Sequence, residues 1–172
     1  MTRLWISASA IGALLLAACS GEDPPAAQPP VRGPDSAIAA EQPFHGAGWS
    51  LVASGEGVAL RLAADGEVIA GVACMRGPAR LQVESDRFQP IMSEDRFTVG
   101  AGDEAYALAA DLAAERERGV EAAGEISVDL LDRLKAGGAI AFNYGAQSLG
   151  PFPAVPEADR DAFVAVCREI AG

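Results

Sequence analysis

The chain has 172 residues, of which 50% are hydrophobic and 22% charged, and its 24 acidic residues outnumber the 13 basic ones to give a formal net charge of −11 at pH 7. This length suits one ordinary domain and is short for two. The acidic balance argues against nucleic acid as a partner, because phosphates are neutralised by Lys and Arg, and against electrostatic docking on an anionic membrane surface.

An export signal is predicted at the N-terminus. Arg3 precedes an apolar run from Leu4 to Leu16. At about 13 residues, this run is shorter than the roughly 20 that cross a bilayer as a helix, so it indicates a cleaved segment. Small residues follow at Ala17 and Ala18, where they give a peptidase access to the bond before Cys19.

The tetrad Leu16-Ala17-Ala18-Cys19 resembles the lipobox of bacterial lipoproteins. The resemblance implies that residues 1–18 are cleaved, that the Cys19 sulfur receives a diacylglyceryl group and that the new N-terminus is acylated, so that the acyl chains hold the protein on a membrane. Ser20 after the cysteine, in place of Asp, favours the outer membrane by resemblance to enterobacterial sorting. The alternative is an ordinary signal peptide with a chance cysteine.

The lipidated cysteine and a disordered tether are predicted over residues 19–43. From Ser20 to Pro43 there are six prolines and almost no bulky apolar residue. Such segments favour extended polyproline II at about 3.1 Å per residue, so the tether would hold a domain up to roughly 75 Å from the bilayer. The alternative is a proline-rich arm packed on the domain. A single globular domain is predicted over residues 44–172.

The first half of this domain shows apolar residues with period two, which predicts an antiparallel meander. The predicted strands, in chain order, are residues 49–54, 58–62, 68–74, 79–84, 88–92 and 96–100. In the third of them, Val68, Ala70, Val72 and Cys74 alternate and are expected to point inward. Residues 104–118 fit a strand slightly better than a helix, and residues 119–126 are predicted to return as a short strand.

In the last third of the chain, the spacing of apolar residues changes from the period of a strand to that of a helix. Ser127 is the predicted N-cap of a helix over residues 128–136, and Gly137 is its predicted terminator. A strand follows at residues 140–144 and a loop at residues 145–156, where glycine and proline are frequent. The apolar spacing after Glu157 predicts a final helix.

Cys74 and Cys167 are predicted to form a disulfide, since they remain once Cys19 is assigned to lipid and the chain is expected to fold in an oxidising compartment. A bridge across so long a loop would contribute roughly 4 to 5 kcal/mol to stability. Two buried free thiols are the alternative. The predicted fold class is therefore α+β, a mainly antiparallel meander sheet of about six to eight strands with two helices in the C-terminal half and one disulfide.

The predicted meander begins at Trp49, its third strand ends with a cysteine, and the closing helix carries a second cysteine. This order of elements resembles small disulfide-stapled domains of Gram-negative envelope proteins of the invasion-associated locus B type. The resemblance covers about residues 49–170. It implies an accessory role in the envelope, and it carries over no catalytic or binding residue.

No catalytic residue, metal ligand or cofactor is predicted. His45 is the only histidine, at the junction of tether and domain, and no G-x-S-x-G motif is present. The acidic residues do not match a calcium-binding loop. One segment is a candidate protein-binding rim, because aromatic side chains beside rigid prolines bury much area at little entropy cost. Its residues are Tyr144, Leu149 and Phe152. The alternative is that Phe152 folds back over the core.

Three functions are compatible with these features. The first is a lipid-anchored, periplasm-facing envelope lipoprotein that acts as a non-enzymatic binding or accessory module for an envelope protein or glycan. The alternative is a periplasmic inhibitor of a lysozyme or protease, because an acidic surface attracts a basic enzyme. A hydrolase with an unrecognised site is the third.

Overall fold

The structure is a computed structural model that describes residues 46–113 and 119–172, and these residues form nine strands and two helices. The strands are β1 (Gly48–Ser54), β2 (Gly57–Ala64), β3 (Glu67–Arg76), β4 (Ala79–Ser85), β5 (Arg96–Ala101), β6 (Glu104–Ala110), β7 (Val120–Gly124), β8 (Ile140–Tyr144) and β9 (Gln147–Phe152). The helices are α1 (Val128–Ala136) and α2 (Glu157–Ala171). The predicted signal peptide, Cys19, the tether and His45 lie outside the described residues.

All nine strands join one antiparallel sheet, in the order β1-β2-β3-β4-β7-β6-β5-β8-β9. The first four follow the chain as the predicted meander does. The next three are added in reverse, so that β7 pairs with β4 and β5 pairs with β8. The α+β class, the antiparallel sheet and the two helices in the C-terminal half are confirmed, and the described residues supply nine strands where the sequence predicts six to eight.

The third strand corrects one prediction about side-chain direction. Leu62 pairs with Ala70 but Ala63 pairs with Val68, so Ile69 is an extra residue in a β-bulge. A bulge reverses the alternation beyond it. Val68, predicted to point inward, is consequently exposed, while Ile69 and Ala70 are both buried.

The predicted strand at residues 88–92 is instead part of the connection between β4 and β5. Two of its backbone N–H groups donate to side chains of the β8–β9 hairpin, and the Phe88 carbonyl accepts the Gly119 N–H at 3.0 Å. The Gln89 N–H donates to the Gln147 side chain at 2.8 Å, and the Ile91 N–H donates to the Tyr144 hydroxyl at 3.2 Å. Pro90 has no N–H to donate to a ladder.

The predicted loop at residues 145–156 contains β9, which the sequence pattern does not predict. β9 is the last strand of the sheet order and has one neighbour, β8. An edge strand tolerates proline because one of its sides needs no donor. Pro151 therefore does not prevent strand formation here, although proline and glycine are typical of loops.

The ambiguous residues 104–118 divide into two parts. Residues 104–110 form β6, as the preferred prediction states, and β7 confirms the short strand predicted at residues 119–126. Residues 114–118 lie outside the described residues.

Both helices occur where the sequence predicts them. The Ser127 hydroxyl accepts a hydrogen bond from the Leu130 N–H at 3.2 Å, and α1 ends at Gly137 with a left-handed φ of 81°. α2 buries Phe163, Val164 and Cys167, and packs against α1 and the first four strands.

The disulfide between Cys74 and Cys167 is present and joins β3 to α2. The two Cα atoms lie 5.4 Å apart, and both residues are fully buried. The predicted pairing is confirmed, and the alternative of two free thiols is wrong. This bond fixes α2 on one face of β3, which we call the inner face of the sheet.

Candidate functional site

The three residues of the candidate rim lie in the core. Tyr144, Leu149 and Phe152 are 1%, 2% and 3% exposed. Register explains this placement, because Phe142 pairs with Leu149 and Ile140 pairs with Phe152, so these side chains share the inner face. The prediction of a rim from these three side chains is therefore wrong, and the alternative, in which Phe152 covers the core, describes the structure.

Tyr144 instead anchors the connection between β4 and β5 from within. Its hydroxyl lies 2.9 Å from the carbonyl oxygens of both Ile91 and Glu94, and it accepts the Ile91 N–H. The Gln147 amide reinforces this contact by donating to the Gln89 carbonyl at 2.9 Å. Side chains of one hairpin thus satisfy backbone groups of a distant connection.

We expect Tyr144→Phe to lower the free energy of unfolding by about 1 to 3 kcal/mol, because it removes the hydroxyl that bonds to partly buried backbone groups of Ile91 and Glu94. Amide hydrogen exchange in residues 89–95 should also accelerate. Tyr106→Phe is the matched control, since its hydroxyl contacts an exposed carboxylate and not this connection. Equal exchange rates in the wild type and Tyr144→Phe would contradict the anchoring role.

A second polar cluster attaches α1 to the β5–β6 hairpin. The Tyr106 hydroxyl donates to Asp129, and Arg133 pairs with Asp103 at 2.9 Å and with Glu104 at 3.7 Å. Desolvation, followed by the hydrogen bond to Asp129 and the charge of that residue, raises the pKa of Tyr106 to about 12. The phenol therefore stays protonated at neutral pH, and the cluster holds α1 against the β5–β6 hairpin.

The outer face of the sheet, opposite α2, carries a polar concavity. This pocket of about 220 Å³ lies on strands β1 to β4. We call it the outer-face pocket. The side chains and backbone that line it include Val52, Arg61, Gly71, Met75, Gln82 and Glu84.

Strand register places opposite charges on the two sides of this pocket. Arg61 on β2 pairs with Gly71 on β3, and Gly71 pairs with Glu84 on β4. Gly71 contributes no side chain, so the Glu84 side chain can lie over β3 toward Arg61. The Glu84 Oε1 lies 3.3 Å from the position that a Cβ on Gly71 would take.

Neither Arg61 nor Glu84 forms an ion pair within 4.0 Å among the residues that the structure describes. Several other arginines form ion pairs. Arg76 pairs with Glu169 at 3.3 Å and Arg87 with Glu67 at 3.2 Å. The next polar side chain along β4 is Gln82, which donates to Glu121 on β7 at 2.6 Å. Glu56 also lines the pocket, which therefore presents the Arg61 guanidinium and the carboxylates of Glu84 and Glu56 to a ligand.

In the described ranges, 46–113 and 119–172, no group of three or more His, Cys, Asp or Glu side chains is arranged to hold a metal ion. Neither described helix is long and apolar enough to cross a membrane.

Comparisons of the chain with protein-family models, with curated proteins and with solved structures found no match. The chemistry of the outer-face pocket is accordingly inferred from its own residues.

Proposed function

We propose that this protein is a lipid-anchored lipoprotein of the bacterial cell envelope, which faces the periplasm from the outer membrane and acts as a non-enzymatic binding module for an envelope protein or glycan. The proposal joins the lipobox residues that end at Cys19 with the properties of the described domain. Acyl chains on Cys19 would attach the protein to the membrane without any spanning segment.

The buried Cys74–Cys167 bond is the observation that carries the envelope assignment. Disulfides form and persist in oxidising compartments such as the bacterial periplasm, and they are rare in reducing ones. This bond connects two elements of the core, and both of its cysteines are inaccessible to water. A structural bond of this kind supports folding after export, as the predicted signal peptide requires.

The binding role is supported by the outer-face pocket. Small-molecule sites are concave and orient the ligand with a few convergent polar groups. Arg61 and Glu84 supply such groups on a sheet face that neither described helix covers. The predicted tether would let this face reach ligands at a distance from the membrane.

Membrane anchoring is tested by Cys19→Ala in the full-length precursor. We expect the variant to move from the membrane pellet to the soluble periplasmic fraction, because no acyl chain can be attached to alanine. Ser20→Ala is the matched control, since it changes the neighbouring residue but keeps the lipidation site, and it should stay in the pellet. Pelleting of Cys19→Ala to the same extent as Ser20→Ala would contradict the proposal.

A further inference from the structure

The glycine in the middle of β3 has no conformational reason to be glycine. Gly71 pairs regularly with Arg61 and with Glu84, and the bulge of this strand lies earlier, at Ile69. Its φ is not left-handed, and the atom closest to the position that a Cβ would take belongs to the flexible end of Glu84. Glycine inside a strand weakens it and often marks the close approach of a ligand.

The spacing of the two charges also matters. Arg61 and Glu84 stand on either side of β3, and the Glu84 carboxylate lies over Gly71 without coming within 4.0 Å of the Arg61 guanidinium. A ligand that contacts both side chains therefore needs two charged groups several ångströms apart. The volume of about 220 Å³ limits it to a small molecule.

Electrostatics restricts the class of ligand further. A simple anion would approach Glu84 and Glu56, which both line the pocket, and a simple cation would approach Arg61. A zwitterion places its carboxylate at the guanidinium, which suits bidentate hydrogen bonding, and its ammonium group at the carboxylate. Exposed Val52 and the partly buried Met75 offer short apolar contacts beside the two charges.

From these observations we infer that the outer-face pocket binds a short zwitterionic peptide of about dipeptide size, with its C-terminal carboxylate at Arg61 and its N-terminal ammonium group at Glu84. The inference rests on the proposed function only in treating the domain as a binding module; it goes beyond that function by assigning the outer-face pocket a small peptide ligand and the residues that recognise each end.

The test titrates three peptides into the full-length lipoprotein in detergent and follows binding by calorimetry. Alanyl-alanine carries both charges, N-acetyl-alanyl-alanine lacks the ammonium group, and alanyl-alanine amide lacks the carboxylate. We expect alanyl-alanine to bind and each blocked peptide to bind at least tenfold more weakly. Absence of alanyl-alanine binding, or equal binding of all three peptides, would overturn the inference.

Variants assign each charge to its residue. Arg61→Gln should weaken alanyl-alanine binding about tenfold and abolish the preference for the free carboxylate over the amide. Glu84→Gln should abolish the preference for the free ammonium group over the acetylated one. Arg80→Gln is the control, because Arg80 lies on the same strand as Glu84 but does not line the pocket. If Arg61→Gln and Arg80→Gln behave alike, the assignment is wrong.

Gly71→Ala tests the pocket by adding a methyl group that displaces the Glu84 carboxylate. The added carbon meets only the end of the Glu84 side chain within 3.4 Å, so the fold should be retained while alanyl-alanine binding is lost. Unchanged binding in a folded Gly71→Ala variant would overturn the inference. Failure of the peptide experiments leaves the result of Cys19→Ala unaffected, so the inference and the membrane proposal are tested separately.

Discussion

Removal of the Cys74–Cys167 disulfide is expected to lower the free energy of unfolding by about 4 to 5 kcal/mol. The bond connects residues that are 93 positions apart, so it restricts a large part of the unfolded chain. In the folded state it joins β3 to α2 through two fully buried cysteines. Because small domains are stable by only about 5 to 15 kcal/mol, this loss is a large share of the total.

The measurement is urea denaturation of the wild type and of the double variant Cys74→Ala, Cys167→Ala. Cys19→Ala is the control, since it removes a cysteine without changing the bridge. Reduction of the wild-type protein by a thiol keeps both sulfur atoms in place, and it should destabilise the fold to a similar extent if restriction of the unfolded chain is the main cause. A loss below about 1 kcal/mol in the double variant would contradict this account.

Local signals in the sequence predict the helices well. Ser127 starts α1 because its side-chain oxygen caps a backbone N–H group, and Gly137 ends it because glycine tolerates a left-handed φ. Both effects act within one turn of the helix. The pairing of Cys74 with Cys167 is also predictable, because both cysteines lie on apolar faces of predicted elements and few other partners exist.

Features that depend on distant neighbours are not predictable in this way. Proline and glycine near Pro151 indicate a loop when only local signals are considered, and the position of β9 at the edge of the sheet is what makes them compatible with a strand. The prediction for Val68 is wrong because the bulge at Ile69 is a property of the pairing between β2 and β3. The alternation of a strand does not reveal such an insertion.

The same limit applies to the outer-face pocket. Alternation predicts that Arg61 and Glu84 point away from the core. It describes each strand by itself, however, and does not show which residues of different strands are neighbours. That Gly71 lies between them is a consequence of register across three strands. The prediction of the candidate rim is wrong for a related reason, since the pairing of β8 with β9 directs Leu149 and Phe152 inward.

Phe97→Ala is expected to lower the free energy of unfolding by about 3 to 5 kcal/mol, which is typical of a large buried aromatic side chain. Phe97 is fully buried on β5, and its ring centroid lies 5.5 Å from that of Phe88, 6.1 Å from that of Phe142 and 6.3 Å from that of Tyr144. Truncation would remove the side chain that these three rings share. The cavity would then lie between the connection that carries Phe88 and the strand β8.

Met92→Ala is the control for this prediction, because Met92 is an apolar residue that is 76% exposed on the same connection as Phe88. Its truncation removes little buried area and should change stability by about 0.5 kcal/mol or less. Urea denaturation measures both variants. If Phe97→Ala costs no more than Met92→Ala, the aromatic cluster does not stabilise the junction of β5 and β8. A large and selective loss in Phe97→Ala, with faster hydrogen exchange in residues 86–95, would show that this aromatic cluster holds the connection against β5 and β8.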